Sequence, residues 1–223
     1  MKRIKVEKKL LSSNQQIAEE NRRFFKEKGV VVFNLLSSPG SGKTSLIERT
    51  VSHLQGRLRT AVITGDVQTD RDAQRIAQHK VPVKQITTGG ACHLDARMVK
   101  RALPFFQMDE LDLLIIENVG NLVCPAAYDL GEDARVTIMS VPEGDDKPLK
   151  YPAMFRTSEV LIINKLDLLP YTNFDLEQAI KFARQIKPAI KVFETSCLTG
   201  AGLEDWFGWV EEQVKQLSGA AKK

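Results

Sequence analysis

The sequence is poor in the residues on which disulfide-rich and metal-storage proteins depend. Its 223 residues contain three cysteines and three histidines, and no two cysteines form a Cys-x-x-Cys pair. An odd number of irregularly spaced thiols argues against a disulfide framework and favours reduced cysteines. The chain also lacks a histidine-rich stretch, so any metal site must be assembled from scattered ligands.

Long apolar runs and strong charge bias are absent as well. No apolar run approaches the length of a membrane span, and the first residues, MKRIKVEKKLLSS, lack the apolar core of a signal peptide. The net charge of +4 is mild, and much of it lies near the two ends. These features predict a cytoplasmic protein with neither a nucleic-acid nor a membrane partner.

Internal repeats, low-complexity segments and long linkers are missing too, so residues 1–223 predict one domain, with 1–28 as an N-terminal helical extension and 219–223 as a flexible tail. Apolar runs predict strands at 30–36, 60–64, within 81–87, and at 111–118, 134–141, 158–164 and 190–196. A helical pattern at 10–28, with Ser12, Ser13 or Asn14 able to cap it, precedes the first strand, and further helical patterns fall between the strands. This alternation predicts an α/β fold with a doubly wound, mainly parallel sheet flanked by helices, and ligands at the carboxyl ends of its strands.

The stretch SSPGSGKTS, residues 37–45, follows the first strand and opens an amphipathic helix. Strand, glycine loop and helix in this order predict a P-loop, in which backbone N–H groups converge on phosphates. Lys43 is then expected to reach the β/γ oxygens, and the Thr44 hydroxyl to hold Mg²⁺. Ser37 stands where the pattern has its first glycine. The residues predicted to bind nucleotide here are Gly40, Ser41, Gly42, Lys43, Thr44 and Ser45.

Carboxylates at two strand ends are candidates for Mg²⁺ binding and for orienting the attacking water. Asp66 directly follows the second strand, and Asp72 lies at the start of the next helix. Glu117 ends the apolar strand LDLLIIEN in a Walker-B-like position. We predict catalytic roles for Lys43 and these three acids, and the sequence leaves open whether Asp66 or Glu117 is the main Mg²⁺ carboxylate. Gly120 can let a backbone N–H swing toward a γ-phosphate.

The motif NKLD, residues 164–167, follows another apolar strand and predicts a guanine reader. The Asp167 carboxylate can accept parallel hydrogen bonds from guanine N1–H and the exocyclic amine, which adenine does not offer in that arrangement. Asn164 and Lys165 belong to the same motif, with Lys165 along the base face. The loop after the next strand is expected to close over the base through Ser196, Cys197 and Leu198.

Cys92, His93 and Cys124 form the remaining candidate site, because thiolates and neutral imidazole bind Zn²⁺ and Ni²⁺. Cys92 and His93 follow two glycines, and Cys124 lies seven residues beyond Glu117. Adjacent residues can share a metal only in a loop or at a helix start, which is where the glycines put them. The spacing alone leaves an alternative open, in which both cysteines are small buried hydrophobes and His93 caps a helix.

With these motifs together, the chain resembles the HypB family of hydrogenase nickel-incorporation GTPases, in the SIMIBI branch of P-loop GTPases. The resemblance covers residues from about 28 to about 214 and rests on NLLSSPGSGKTS, GDVQTDRDA, TTGGACHLDA, IIENVGNLVCPA, EGDDKPLKYP, NKLDL and TSCLTGAGL. It implies GTP/GDP, Mg²⁺ and Ni²⁺ or Zn²⁺ as ligands, with Cys92, His93 and Cys124 on the transition metal.

The resemblance also implies a GTP-dependent homodimer with the metal at its interface, a second nickel-maturation accessory protein and a hydrogenase large subunit as partners. This chain lacks the amino-terminal C-x-x-C-G-C cluster of some members, and the Cys-Pro-His motif of the urease accessory GTPases. Lys147 is a weaker candidate for touching nucleotide, across the dimer, and the alternative is a solvated loop lysine. No arginine holds an evident finger position.

The other interpretations are a urease-accessory-like GTPase, a P-loop kinase or ligase with a structural metal site, and a non-catalytic nucleotide-gated scaffold.

Overall fold

The computed structural model describes the backbone of residues 3–221 and the side chains of residues 10–217. Its strands are β1 Val31–Ser37, β2 Thr60–Asp66, β3 Val83–Thr87, β4 Leu113–Glu117, β5 Ala134–Ser140, β6 Val160–Asn164 and β7 Lys191–Glu194. Its α-helices are α1 Arg3–Lys28, α2 Lys43–Leu54, α3 Arg71–Ala77, α4 Ala96–Ala102, α5 Lys147–Lys150, α6 Pro152–Thr157, α7 Leu176–Ile186 and α8 Leu203–Ala221. No helix in these described ranges is long and apolar enough to cross a membrane.

The seven strands form one sheet in the order β3-β2-β4-β1-β5-β6-β7, and all neighbouring strands run parallel. The predicted doubly wound parallel α/β fold is therefore confirmed. The strand β1 lies between β4 and β5, so the connections diverge to opposite sides at its carboxyl end. In open α/β sheets this switch point forms the crevice in which ligands bind.

Two apolar layers cover the sheet. On one face, α2 and α8 pack against alternate residues of β1, and the buried Trp206 indole N–H donates to Thr50 Oγ1 at 2.9 Å. On the other face, Phe25 of α1 packs in a cluster with Val32 and residues of α4. The interpretation of the N-terminal helix as an element packed on the sheet is confirmed.

The helix α1 begins at Arg3, seven residues before the predicted start at residue 10. Residues 3–9 contain no proline or glycine to interrupt a helix, and the candidate caps Ser12, Ser13 and Asn14 all lie inside it. The Asn14 side chain is engaged elsewhere, because its Nδ2 donates to the Asp129 carbonyl and its Oδ1 accepts the Ala96 N–H. Hydrogen bonding to distant backbone has replaced the capping role that the sequence indicated.

The last helix continues to Ala221, so the backbone of residues 219–221 is helical where the sequence predicted a flexible tail. The last two residues of that predicted tail, and the first two of the predicted N-terminal extension, lie outside the described residues. At the far edge of the sheet, β7 ends at Glu194, two residues before the predicted Ser196. Ser196 thus belongs to the loop that follows the strand.

Candidate functional site

The loop between β1 and α2 borders a cavity of about 550 Å³ at the carboxyl ends of the strands, called here the P-loop cavity. Gly40 and Gly42 have φ values of 77° and 95°, in the left-handed region that favours glycine. A Cβ on Gly42 would also lie 2.3 Å from Asn164 Nδ2. The loop therefore needs glycine at position 42 both for its backbone conformation and for its close approach to the NKLD segment.

Glu117, at the end of β4, lies directly against the P-loop lysine and threonine. Its Oε1 accepts hydrogen bonds from Thr44 Oγ1 at 2.7 Å and from Lys43 Nζ at 3.2 Å. The carboxylate is 2% exposed, and its Oε2 has no hydrogen-bond partner among the described residues. A buried carboxylate oxygen without a partner, next to a hydroxyl, is a donor set that suits Mg²⁺.

Asp66 ends β2 and lines the same cavity. Partial burial raises the pKa of its carboxyl group, but hydrogen bonds from the backbone N–H groups of Thr69 and Gln68 and the charge of Lys43 outweigh this and lower the pKa below its usual range. Asp66 therefore stays ionised at neutral pH and can accept a proton or orient a water. Asp72 also lines the cavity, on the first turn of α3.

Arg75, one turn further along α3, is a cavity residue that the sequence did not indicate. Its guanidinium pairs with Glu48, donates to Ser45 Oγ at 3.3 Å and lies 3.6 Å from Asp72 Oδ1. With this guanidinium paired to Glu48, the expectation that no arginine holds an evident finger position stays a prediction. The signal was its spacing of three residues from Asp72, which places both on one side of a helix that starts at the cavity.

The NKLD segment is tied to the P-loop by direct hydrogen bonds. Asn164 Nδ2 donates to the Ser41 carbonyl at 2.9 Å, and its Oδ1 accepts the Cys197 N–H at 3.1 Å. Lys165 has a left-handed φ of 64° and its Nζ donates to the Gly40 carbonyl at 2.6 Å. These bonds place the phosphate loop, NKLD and the 196–198 loop next to each other, as the sequence predicted.

The 196–198 loop closes around Asp167. Ser196 Oγ donates to Asp167 Oδ1, which fixes the carboxylate beside the loop. Burial raises the pKa of the Cys197 thiol to about 11, so it is a protonated, unreactive packing residue. Leu198 is 77% exposed. Asp167 thus has the supported position that bidentate recognition of a base edge requires.

Cys92, His93 and Cys124 come together on the neighbouring loops. Their ligand atoms lie within 4.8 Å of one another, and in the part of the chain that the structure describes they are the one such group of three or more. Cys92 and His93 lie in the loop after β3, and Cys124 begins a 3-10 turn after β4. The cluster combines residues from the loops that follow two different strands. Sequence spacing alone does not show that these loops meet, so it could not decide between a metal site and buried thiols.

The chemistry of this Cys–His–Cys cluster suits a soft or borderline divalent metal. Burial lowers the pKa of His93, whose ring stacks on Tyr128 at 3.9 Å, so the imidazole is neutral and able to bind metal at neutral pH. The neighbouring Cys92 sulfur and burial raise the pKa of the Cys124 thiol, as expected of two thiols that lie close together.

The alternative in which both thiols are buried hydrophobes and the histidine is a helix cap does not match the structure. Cys92 is exposed and Cys124 is half-buried. The cap of α4 is Asp95, whose side chain accepts the Met98 N–H at 2.7 Å, and not His93. Neither burial of the thiols nor capping by the histidine therefore accounts for the meeting of these three side chains.

Lys147 lies apart from these residues. Its Nζ is 3.5 Å from Glu143 Oε2 and 5.2 Å from the Tyr151 ring centroid, and it does not line the P-loop cavity. Within one copy of the chain, Lys147 has no part in the site. Its predicted contact with nucleotide therefore stays a prediction that requires a second copy.

Comparison with known proteins gives three concordant matches. Residues 31–194 match the family model described as CobW/HypB/UreG, nucleotide-binding domain. The hydrogenase maturation factor HypB of Azotobacter vinelandii is 51% identical over 212 residues, covering 94% of this chain and 69% of that protein. The crystal structure of Helicobacter pylori HypB in complex with nickel has a TM-score of 0.87, 39% identity, and coverage of 92% of this chain and 96% of its own.

A second crystal structure, of the hydrogenase maturation factor HypB from Archaeoglobus fulgidus, has a TM-score of 0.86 at 38% identity. It covers 91% of this chain and 99% of its own. The matched family region includes the P-loop, Asp66, the Cys–His–Cys cluster, Glu117 and NKLD. The family model thus covers every candidate site described above except the 196–198 loop. The relative and the two crystal structures are 38–51% identical to this chain, well above the level at which only a fold is shared.

Proposed function

The chain belongs to the CobW/HypB/UreG family of nucleotide-binding proteins, as one of the HypB hydrogenase maturation factors, and on this premise we propose that it is a GTP-hydrolysing nickel metallochaperone. It binds Ni²⁺, or Zn²⁺, and couples GTP hydrolysis and dimerisation to nickel delivery during [NiFe]-hydrogenase maturation. The observation that carries this proposal is the segment 117–124, which has a P-loop contact at one end and a metal-binding thiol at the other. A conformational change caused by loss of the γ-phosphate can then be transmitted to the metal ligands through a segment of only eight residues.

For hydrolysis, the P-loop N–H groups and Lys43 bind the phosphates and oppose the negative charge that develops on them. Glu117 and Thr44 would hold Mg²⁺, which supplies charge neutralisation when bound. Asp66, which is ionised and lines the cavity, is the proposed residue for orienting the attacking water, and Asp72 lines the same cavity. Arg75 lines the cavity, but its guanidinium is paired with Glu48 and lies 3.6 Å from Asp72, so we do not assign it a finger role and expect slow intrinsic turnover.

Nickel is the cargo, and Cys92, His93 and Cys124 are its proposed ligands. Three ligands leave a coordination position open, so the site is incomplete as a structural site in one copy. A second copy across a two-fold axis can complete it and bring Lys147 toward the partner's nucleotide. An open or shared position also allows the metal to leave, toward a second nickel-maturation accessory protein and then the hydrogenase large subunit.

The test is to measure Ni²⁺ affinity with saturating GDP and with a non-hydrolysable GTP analogue, by competition with a chromophoric chelator. We expect the two dissociation constants to differ by at least about fivefold, the lower end of ordinary allosteric coupling. Equal affinities and unchanged metal spectra would contradict the switch. Competition binding that favours ATP over GTP would support the kinase or ligase interpretation instead, and GTP binding without phosphate release would support a non-catalytic scaffold.

Replacing Glu117 by glutamine is expected to weaken Mg²⁺ binding in the presence of GTP by roughly 10- to 100-fold. The amide keeps the size of the side chain but loses the charge and one acceptor oxygen beside Thr44. The measurement is the Mg²⁺ concentration that gives half-maximal phosphate release. Glu212→Gln, on the exposed side of α8, is the control and should behave like the unaltered protein. An unchanged Mg²⁺ requirement in Glu117→Gln would make Asp66 the main carboxylate.

A further inference from the structure

One fully buried amide connects the end of β4 to the loop that carries two of the metal-binding residues. Asn118 directly follows Glu117, and its side chain is 0% exposed. Its Oδ1 accepts the backbone N–H of Leu94 at 3.0 Å and that of Val119 at 2.9 Å. Since Leu94 directly follows His93, a single side chain joins the residue after the P-loop carboxylate to the residue after a metal ligand.

The orientation of this amide is set by a buried polar network. Asn118 Nδ2 donates to Asn34 Oδ1 at 3.2 Å, and Asn34 Nδ2 donates to Glu132 Oε1 at 3.1 Å. The same Glu132 oxygen accepts from Arg135 Nε at 2.6 Å. With Nδ2 donating to Asn34, the Asn118 oxygen faces the N–H groups of Leu94 and Val119, and a flipped amide would set donor against donor, so the link is specified and not interchangeable.

Leu94 is held from a second side as well. It is fully buried, and a Cβ on Gly65 would lie 2.7 Å from Leu94 Cγ, which shows how closely the leucine packs on the end of β2. Gly65 precedes Asp66 and lines the P-loop cavity. The last residue of the 92–94 loop therefore contacts the ends of both β2 and β4, the strands that carry the carboxylates proposed to bind Mg²⁺.

We propose that Asn118 is the positioning residue through which the nucleotide state at β4 sets the position of the Cys92–His93 loop relative to Cys124. This rests on the proposed function and adds a buried connection to the surface path through residues 120–124. A shift of backbone 117–119 toward a γ-phosphate moves the Asn118 oxygen, and Leu94 follows because its N–H has that oxygen as its acceptor. Packed elements with such links move together.

The half-buried amide of Asn121 makes a parallel contact that is exposed to solvent and serves for comparison. Asn121 Oδ1 accepts the Val123 N–H at 2.9 Å, and its Nδ2 donates to the Cys92 carbonyl at 3.3 Å. The Asn121 contact is exposed to competing water, whereas the Asn118 contact is not. Water competition weakens the Asn121 link, so the buried link carries the larger share of the coupling.

The first test uses the unaltered protein and amide hydrogen exchange. The Leu94 N–H is expected to exchange at rates at least about tenfold different in the GDP-bound and GTP-analogue-bound states, because its one acceptor lies on the segment that responds to the phosphate. The Ala96 N–H, which donates to Asn14 of α1, is the internal reference and should change less. Equal Leu94 exchange in the two states would overturn the proposal.

The second test compares Ni²⁺ affinity in the two nucleotide states for Asn118→Ala and for Asn21→Ala. Asn21 is the matched control, since it is a buried amide that holds the neighbouring Ala96 carbonyl from α1 without touching β4. We expect Asn118→Ala to bring the ratio of the two nickel dissociation constants to within about twofold of one. Asn21→Ala should keep the ratio of the unaltered protein.

The outcomes separate this inference from the proposed function. A ratio preserved in Asn118→Ala, with the unaltered protein still showing nucleotide-dependent nickel affinity, overturns the positioning role alone. A ratio of one in the unaltered protein overturns the proposed function and this inference with it. If Asn118→Ala does not fold, judged by circular dichroism, the exchange of Leu94 in the unaltered protein decides.

Discussion

The Asp167→Asn variant is expected to bind GTP roughly 100- to 1000-fold more weakly and to gain affinity for xanthosine triphosphate. The carboxylate can accept two charge-assisted hydrogen bonds, from guanine N1–H and the exocyclic amine, and each such bond contributes about 1.5–3 kcal/mol. Asparagine keeps one acceptor and turns the other into a donor. Xanthine carries a carbonyl where guanine has its amine, so the asparagine donor finds a partner there.

Competition against a fluorescent guanine nucleotide measures both changes in one series, with GTP, xanthosine triphosphate, inosine triphosphate and ATP as competitors. Inosine lacks the exocyclic amine and isolates the contribution of that one hydrogen bond. Asp109→Asn is the control, because it removes a surface carboxylate paired with Lys28 at 2.7 Å, away from NKLD. Unchanged GTP affinity in Asp167→Asn would show that this segment does not read the base.

The structure gives this prediction a support that the sequence did not contain. Ser196 holds one oxygen of Asp167, and Asn164 joins the loop of Cys197 to the P-loop carbonyl of Ser41. The base reader and the phosphate loop therefore share one hydrogen-bond system. A change of base preference in Asp167→Asn is expected to leave the P-loop intact, because none of the bonds of Asn164 depends on the Asp167 carboxylate.

The fold was largely predictable from the sequence for a physical reason. The five central strands are buried on both faces and read as continuous apolar runs. The edge strands β3 and β7 are partly exposed, and all seven predicted strands are present in the sheet. Element ends were less predictable, because they depend on partners elsewhere. Asn14 was expected to cap α1, but it lies inside the helix and bonds to backbone at positions 96 and 129.

Local motifs likewise predicted the chemistry of the site but not its connections. The P-loop and NKLD are contiguous, so their residues could be named from spacing alone. The links of Asn118 to Leu94 and Asn34, and of Asn34 to Glu132, span 24, 84 and 98 residues. Such contacts exist only once strand order is set, and an asparagine after a strand carries no local signal that distinguishes a positioning role from a turn.

Metal binding is expected to fail in the Cys124→Ala variant, with nickel affinity falling by more than the roughly 10- to 100-fold that loss of an outer-shell partner costs. Cys124 is one of only three donors in the cluster and the one that lies on the segment from Glu117. Its loss leaves Cys92 and His93, two adjacent residues, which cannot hold a metal firmly without a third ligand from the facing loop. Cys197→Ala removes a thiol from the base loop and is the matched control for metal affinity.

Titration against a chromophoric chelator gives the affinity, and thiolate-to-nickel absorption bands report whether sulfur remains bound. In Cys197→Ala both should match the unaltered protein, because that thiol is buried beside Asn164 and is not part of the cluster. In Cys124→Ala the absorption bands should weaken together with the affinity, and the difference between GDP and GTP-analogue states should vanish. Full nickel affinity in Cys124→Ala would mean that the metal binds elsewhere. The eight residues from Glu117 to Cys124 could then not transmit the conformational effect of GTP hydrolysis to the metal site.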